Sequence, residues 1–152
     1  MNNVQPQKLV FNPQFKPLSM TDGDEIYPNG LFKFNITKML DFIKSKPEQF
    51  PIEDTLISDV RTYVSSKLDE KTIKAADITN PIIVTEISPH RFNVIDGNHR
   101  LEKAYRENHT TIPAYRISAH DHVAFLTASE AYKIYVNYWN EKVDESDNDF
   151  AH

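Results

Sequence analysis

Apolar and polar positions follow two periods along this chain, and each change of period marks an element. Leu31-Phe32-Lys33-Phe34-Asn35 alternates as a half-buried strand after the turn signal Tyr27-Pro28-Asn29-Gly30. Ile36, Met39, Leu40 and Ile43 then recur at helical spacing, with Asn35 or Thr37 as cap and Pro47 as stop. Ile57, Val60, Arg61 and Val64 fit a short helix, and Leu68 to Ala76 another, capped by Asp69 with Lys71 and Lys74 facing water. Asn80-Pro81 launches Ile82-Ile83-Val84-Thr85-Glu86-Ile87, whose β-branched density predicts a central strand paired across a short turn with 92–95.

Phe92 to Asp96 reads as that partner strand, and Leu101, Ala104, Tyr105 and Asn108 at i, i+3, i+4 and i+7 predict a helix beyond Gly97. Ile112-Pro113-Ala114-Tyr115-Arg116-Ile117 predicts a further strand. A short helix with Val123, Phe125 and Leu126, capped by Asp121 or Ser118, follows; a longer one over 129–142 carries the stripe Ala131, Ile134, Tyr135, Tyr138 and Trp139. The elements predict an α+β fold, a small mixed β-sheet with packed helices, in one domain over 30–142. Residues 1–29, with Pro6, Pro13, Pro17 and Pro28, read either as an extended arm laid along the body through Phe11 and Phe15 or as disorder. Residues 143–152 read as an acidic disordered tail.

Composition narrows the chemistry. The 152 residues include no cysteine, which removes disulfides, thiolate metal sites and thiol nucleophiles. Net charge is 17 − 22 = −5, but Glu141 to His152 holds five acids against one lysine, leaving 16 − 17 = −1 over Met1 to Asn140. A near-neutral body does not favour DNA binding. No apolar run reaches the roughly 18 residues needed to span a bilayer, and the start lacks the basic and apolar regions of a signal peptide, so a cytoplasmic location is expected.

The candidate chemistry sits at the corner Asp96-Gly97-Asn98-His99-Arg100. A strand opening through a small-residue turn into a helix aims free amides at one spot, and that spot favours anions. Asp96 is placed to accept from the first amides, and Gly97 to let another molecule approach the backbone. His99, Arg100 and Lys103 lie in the first two turns, where cations oppose the helix dipole unless a bound anion compensates. The same residues also suit a hairpin turn at Asp96-Gly97, a surface histidine and a surface ion pair. His120-Asp121-His122 spaces two imidazoles for a metal without a third ligand, and His90 and His109 fall at turns.

Asn80-Pro81-Ile82-Ile83-Val84 and Val94-Ile95-Asp96-Gly97-Asn98-His99-Arg100-Leu101-Glu102-Lys103-Ala104, in this element order, resemble the ParB/sulfiredoxin superfamily over about residues 30–120. The resemblance implies that Gly97, Asn98, His99 and Arg100 contact nucleotide phosphates. Sulfiredoxins place a cysteine where Asn98 stands, so their sulfinic-acid reduction is chemically closed to this chain. Partition proteins that bind CTP carry a Glu-Arg-Arg version of the corner and a following helix-turn-helix domain, for which too few residues remain after 120. The superfamily also includes small-molecule kinases and proteins described as nucleases.

Three functions are therefore open. In a nucleotide-dependent phosphotransferase or nucleotidase using ATP, ADP or CTP, Arg100 would clamp phosphate oxygens, His99 would donate to a phosphate or act as general acid, and Asp96 would help hold Mg²⁺. Glu102 would orient the imidazole, serve as base, or be a surface carboxylate. In a non-enzymatic module, nucleotide would control a protein partner or self-association through the N-terminal arm or the C-terminal helix. A nuclease built on Asp96, Asn98 and His99 ranks last, because three neighbours on one turn do not surround a metal.

Overall fold

The computed structural model describes residues 6–29, 32–61 and 67–150, with Asn29 and 147–150 described by backbone alone. The first five residues of the arm, Gly30-Leu31, Val64 of the second expected helix and the last two residues of the tail lie outside the described residues. Within the segment read as one domain, the described residues gather into two compact units.

The first unit takes Met1–Met39, Glu86–Arg91 and Ser118–His152. Strands β1 (Ile26–Asn29) and β2 (Phe32–Asn35) pair antiparallel, with Pro28 opposite Lys33. The sequence reading spends Tyr27 to Gly30 on a turn. Pro28 instead sits in a strand, because a two-stranded ladder has an open edge where a missing N–H goes unmissed. Asn35 Oδ1 accepts from Lys38 N at 3.0 Å and so caps α1 (Ile36–Ser45). The last helix, α6 (Ser129–Phe150), runs beyond its expected end at Lys142. Val143 is buried, and Asp144 pairs with Lys8 and Glu145 with Lys142, so these two acids of the expected tail belong to a helix that continues past its expected end. Phe11 and Phe15 of the arm both stack on Tyr132 of α6, with ring centroids 5.6 and 4.0 Å apart.

The second unit takes Leu40–Thr85 and Phe92–Ile117. A mixed four-stranded sheet runs in the order β3 (Glu53–Leu56), β6 (Thr111–Ile117), β4 (Ile82–Ser88), β5 (Arg91–Asp96). β6 is antiparallel to β3 and parallel to β4. Pro113 is accepted in this inner strand because the ladder to β4 begins one residue later, at Ala114. β3 lies in the stretch 48–80, where the sequence shows two helices and no strand; Glu53 and Asp54 face water, and only Thr55 of the four is buried. Short helices α2 (Ile57–Val60) and α3 (Glu70–Ala75) precede β4, and α4 (Asn98–Arg106) follows β5. Ile82 and Val84, Val94, Ile112 and Ala114 meet Ile57, Val60, Leu101 and Ala104 in one apolar cluster. The mixed sheet and helices make the α+β architecture expected from the pattern.

Helix α5 (Ala119–His122) and a 3₁₀ turn at Val123–Phe125 complete the first unit. His122 is fully buried there. Its Nε2 donates to Glu86 O at 2.7 Å, the Tyr135 hydroxyl donates to Ile87 O at 2.7 Å, and His122 Nδ1 has no partner among the described residues. Burial pushes this imidazole down to about 4 from its ordinary 6.5. The unfolded chain thus takes up a proton below pH 6.5 that the folded chain refuses until about pH 4, so stability is whole above 6.5 and drains away through that window. A depression of that size corresponds to about 3 kcal/mol. Chemical denaturation followed across the window should show the parent losing about that much more stability than a His122→Gln variant.

Candidate functional site

β5 ends at Asp96 and α4 begins at Asn98, so the residue between them sets the shape of the corner. Gly97 is the helix N-cap, in the left-handed region with φ +104°, and it offers no side chain to the first-turn amides. A Cβ on it would overlap the Ile82 side chain and stand 3.0 Å from Arg100 Nη2. The space that the sequence reading reserves for an incoming molecule is thus filled by the chain itself. Asp96 does not cap the helix, since the turn places Gly97 at the cap; its Oδ2 accepts from Arg100 Nη2 at 3.2 Å.

Arg100 folds back across the corner. Its Nη1 donates to Asn80 O at 3.1 Å and to Pro81 O at 2.8 Å. Three of the five guanidinium N–H groups are engaged in this way, and the other two have no partner among the described residues. Asn98, the first residue of α4, is half-buried. His99 Nε2 accepts from Asp69 N at 3.2 Å, which places the ring proton of that neutral tautomer on Nδ1.

Glu102 is not a surface carboxylate and does not face His99. It is 4% exposed, and Arg61 forks onto it, with Nη2 2.7 Å from Oε1 and 3.2 Å from Oε2 and Nε 3.1 Å from Oε1. The Arg61 guanidinium also lies 3.5 Å from the centre of the Tyr105 ring. The sequence reading places Arg61 in an apolar helical stripe and assigns it no partner. A cation in such a stripe, and a carboxylate between the core residues Leu101 and Ala104, were the available signals.

The early cations of α4 are compensated from within the chain. His99, Lys103 and Arg106 recur at i, i+4 and i+7, and each reaches α3 or its cap. Lys103 Nζ donates to Lys74 O at 2.8 Å and Ala76 O at 2.7 Å, at the negative end of that helix. Arg106 forks onto Glu70 at 2.6 and 3.1 Å, which holds the Glu70 carboxyl below its ordinary value and pushes Arg106 up. Asp69 caps α3 by accepting from the Thr72 hydroxyl and amide, and these bonds hold its carboxyl down.

Asp96 does not fit a resident metal. Among the described residues no three His, Asp or Glu side chains gather to hold an ion, at Asp96 or at His120-Asp121-His122, and Asp96 already faces a guanidinium.

A family model described as the ParB N-terminal domain matches residues 51–128, just over half of the chain. The chain belongs to that family. In this ParB N-terminal domain the match takes in β3 to β6 and the corner, and it leaves out the arm and α6. Neither the curated proteins nor the solved structures yielded a match.

The Arg61–Glu102 pair gives a direct test of what holds α4. Arg61→Ala should cost about 2–4 kcal/mol in urea denaturation, because it strands a buried carboxylate. Replacing both partners, as Arg61→Met with Glu102→Leu, should cost clearly less than Arg61→Ala alone.

Proposed function

We propose that this ParB N-terminal domain binds a nucleotide through its phosphates at the start of α4, and that it works by binding rather than by turnover. The observation that carries the reading is the Gly97 N-cap, which leaves the amides of the first turn of α4 without a side-chain acceptor while Arg100 lies over the same turn. A phosphate there would take the amides of Asn98 to Arg100, the Asn98 side-chain amide and the two remaining guanidinium N–H groups. His99 would reach the phosphate through Nδ1–H while keeping its bond from Asp69.

Binding is favoured over phosphotransfer or hydrolysis because each residue expected to catalyse is already committed. Asp96 pairs with Arg100, Glu102 is buried against Arg61, and His99 Nε2 is occupied by the Asp69 amide. Among the described residues of the corner these commitments leave no carboxylate or imidazole nitrogen free to take a proton from an attacking oxygen, and among the described residues no ligand set gathers to draw Mg²⁺ to the protein rather than to the nucleotide.

Calorimetry with ATP, ADP and CTP, each with and without Mg²⁺, tests the reading. At least one should bind, and Asn98→Asp, which aims a carboxylate at the amide row, should weaken it by about tenfold or more. Phosphate release should stay at the rate of the nucleotide in buffer. Absence of binding by all three overturns the proposal.

A further inference from the structure

The N-terminal arm, residues 6–25, forms neither helix nor strand, yet α6 holds it with side chains that read its backbone. Asn140 spans Leu9 from both sides: its Oδ1 accepts from Leu9 N at 2.7 Å, and its Nδ2 donates to Leu9 O at 3.0 Å. Trp139 Nε1 donates to Gln7 O at 2.8 Å, and the Tyr132 hydroxyl accepts from Asn12 N at 2.9 Å. Side chains of the arm add to this: Leu9 is buried, Phe11 and Phe15 stack on Tyr132, and Lys8 pairs with Asp144 at 2.8 Å. The arm also leaves apolar side chains in water: Val10 is 89% exposed, Met20 56% and Leu18 49%.

We propose that α6 is a docking seat for this arm that accepts the arm of a second copy, so that two chains associate by exchanging residues 7–15. The seat fits an arm of identical sequence by construction, since every bond made within one chain can be remade between two. Backbone recognition by Asn140, Trp139 and Tyr132 gives the seat no means of telling its own arm from another. Residues 16–20 supply the connection. They are exposed apart from half-buried Pro17, and five extended residues reach about 17 Å. Exchange also gains something that the single chain lacks, because two crossing arms can cover Val10, Leu18 and Met20 against each other.

The absence of cysteine makes the test clean. Full-length Lys8→Cys and full-length Asp144→Cys are mixed and treated with a short bismaleimide. Residue 8 of one chain lies against residue 144 of the other only after exchange, so a covalent 8–144 heterodimer should form, rise with concentration and exceed both homodimers. Asn140→Ala removes both bonds to Leu9 from the closed chain and from the exchanged pair alike, so it should leave the yield unchanged and serves as the control. Val10→Asp changes a position that is 89% exposed and lies outside the seat, and it should lower the yield, because the contact between arms is what exchange adds. No 8–144 dimer, or a yield that Val10→Asp does not lower, overturns the proposal. A monomeric mass by light scattering at every concentration does the same.

Discussion

The second unit depends on the contact between Ile82 and the bare Cα of Gly97. Ile82 starts the inner strand β4 and is fully buried, and its side chain fills the volume where any other residue at 97 would carry a Cβ. The left-handed φ of Gly97 then turns the chain from β5 into α4 at the point where Arg100 can reach back to the carbonyls of Asn80 and Pro81. The two stretches that the sequence marks out, 80–84 and 94–104, are thus two halves of one contact. Any residue with a side chain at 97 would face left-handed strain of roughly 1–2 kcal/mol and overpacking of about 1–3 kcal/mol together.

From that corner α4 presents three faces with separate tasks. Leu101 and Ala104 join the apolar cluster under the sheet. Glu102 and Tyr105 receive the Arg61 guanidinium, one by hydrogen bonds and the other by its ring face. His99, Lys103 and Arg106 clasp α3, a six-residue helix with a single buried side chain, Ile73. A helix that short is not stable by itself. The amide of its capping residue Asp69, its C-terminal carbonyls and its Glu70 are all bonded from α4, so polar ties do the holding that apolar area usually does.

What the sequence made legible follows from how local each signal is. β4, β5, β6, α1, α4 and the Asp69 cap stand in the hydrophobic pattern, because their apolar residues recur at the period of the element and their stop signals are a few residues away. β3 did not show, since Glu53-Asp54-Thr55-Leu56 buries a single residue and owes its strand conformation to pairing with β6, far along the chain. At the site, the open amides and the glycine turn were legible, because both are properties of the backbone around 97. The partners of His99, Arg100 and Glu102 were not. Apart from Asp96, they come from Asp69, Asn80-Pro81 and Arg61, 19 to 41 positions away, and proximity of that kind is settled by packing.

β3 forms one margin of the four-stranded sheet, with one side of its backbone unpaired by any described strand. Ile52, just before it, and Leu56, at its end, are 56% and 45% exposed. A bare strand flanked by greasy residues is the kind of template on which chains stack into insoluble ribbons. Glu53 and Asp54 stand between the two, both in water, and a like-charged strand laid alongside would be repelled. The two carboxylates that hid β3 from the sequence pattern thus act as gatekeepers that keep it a margin.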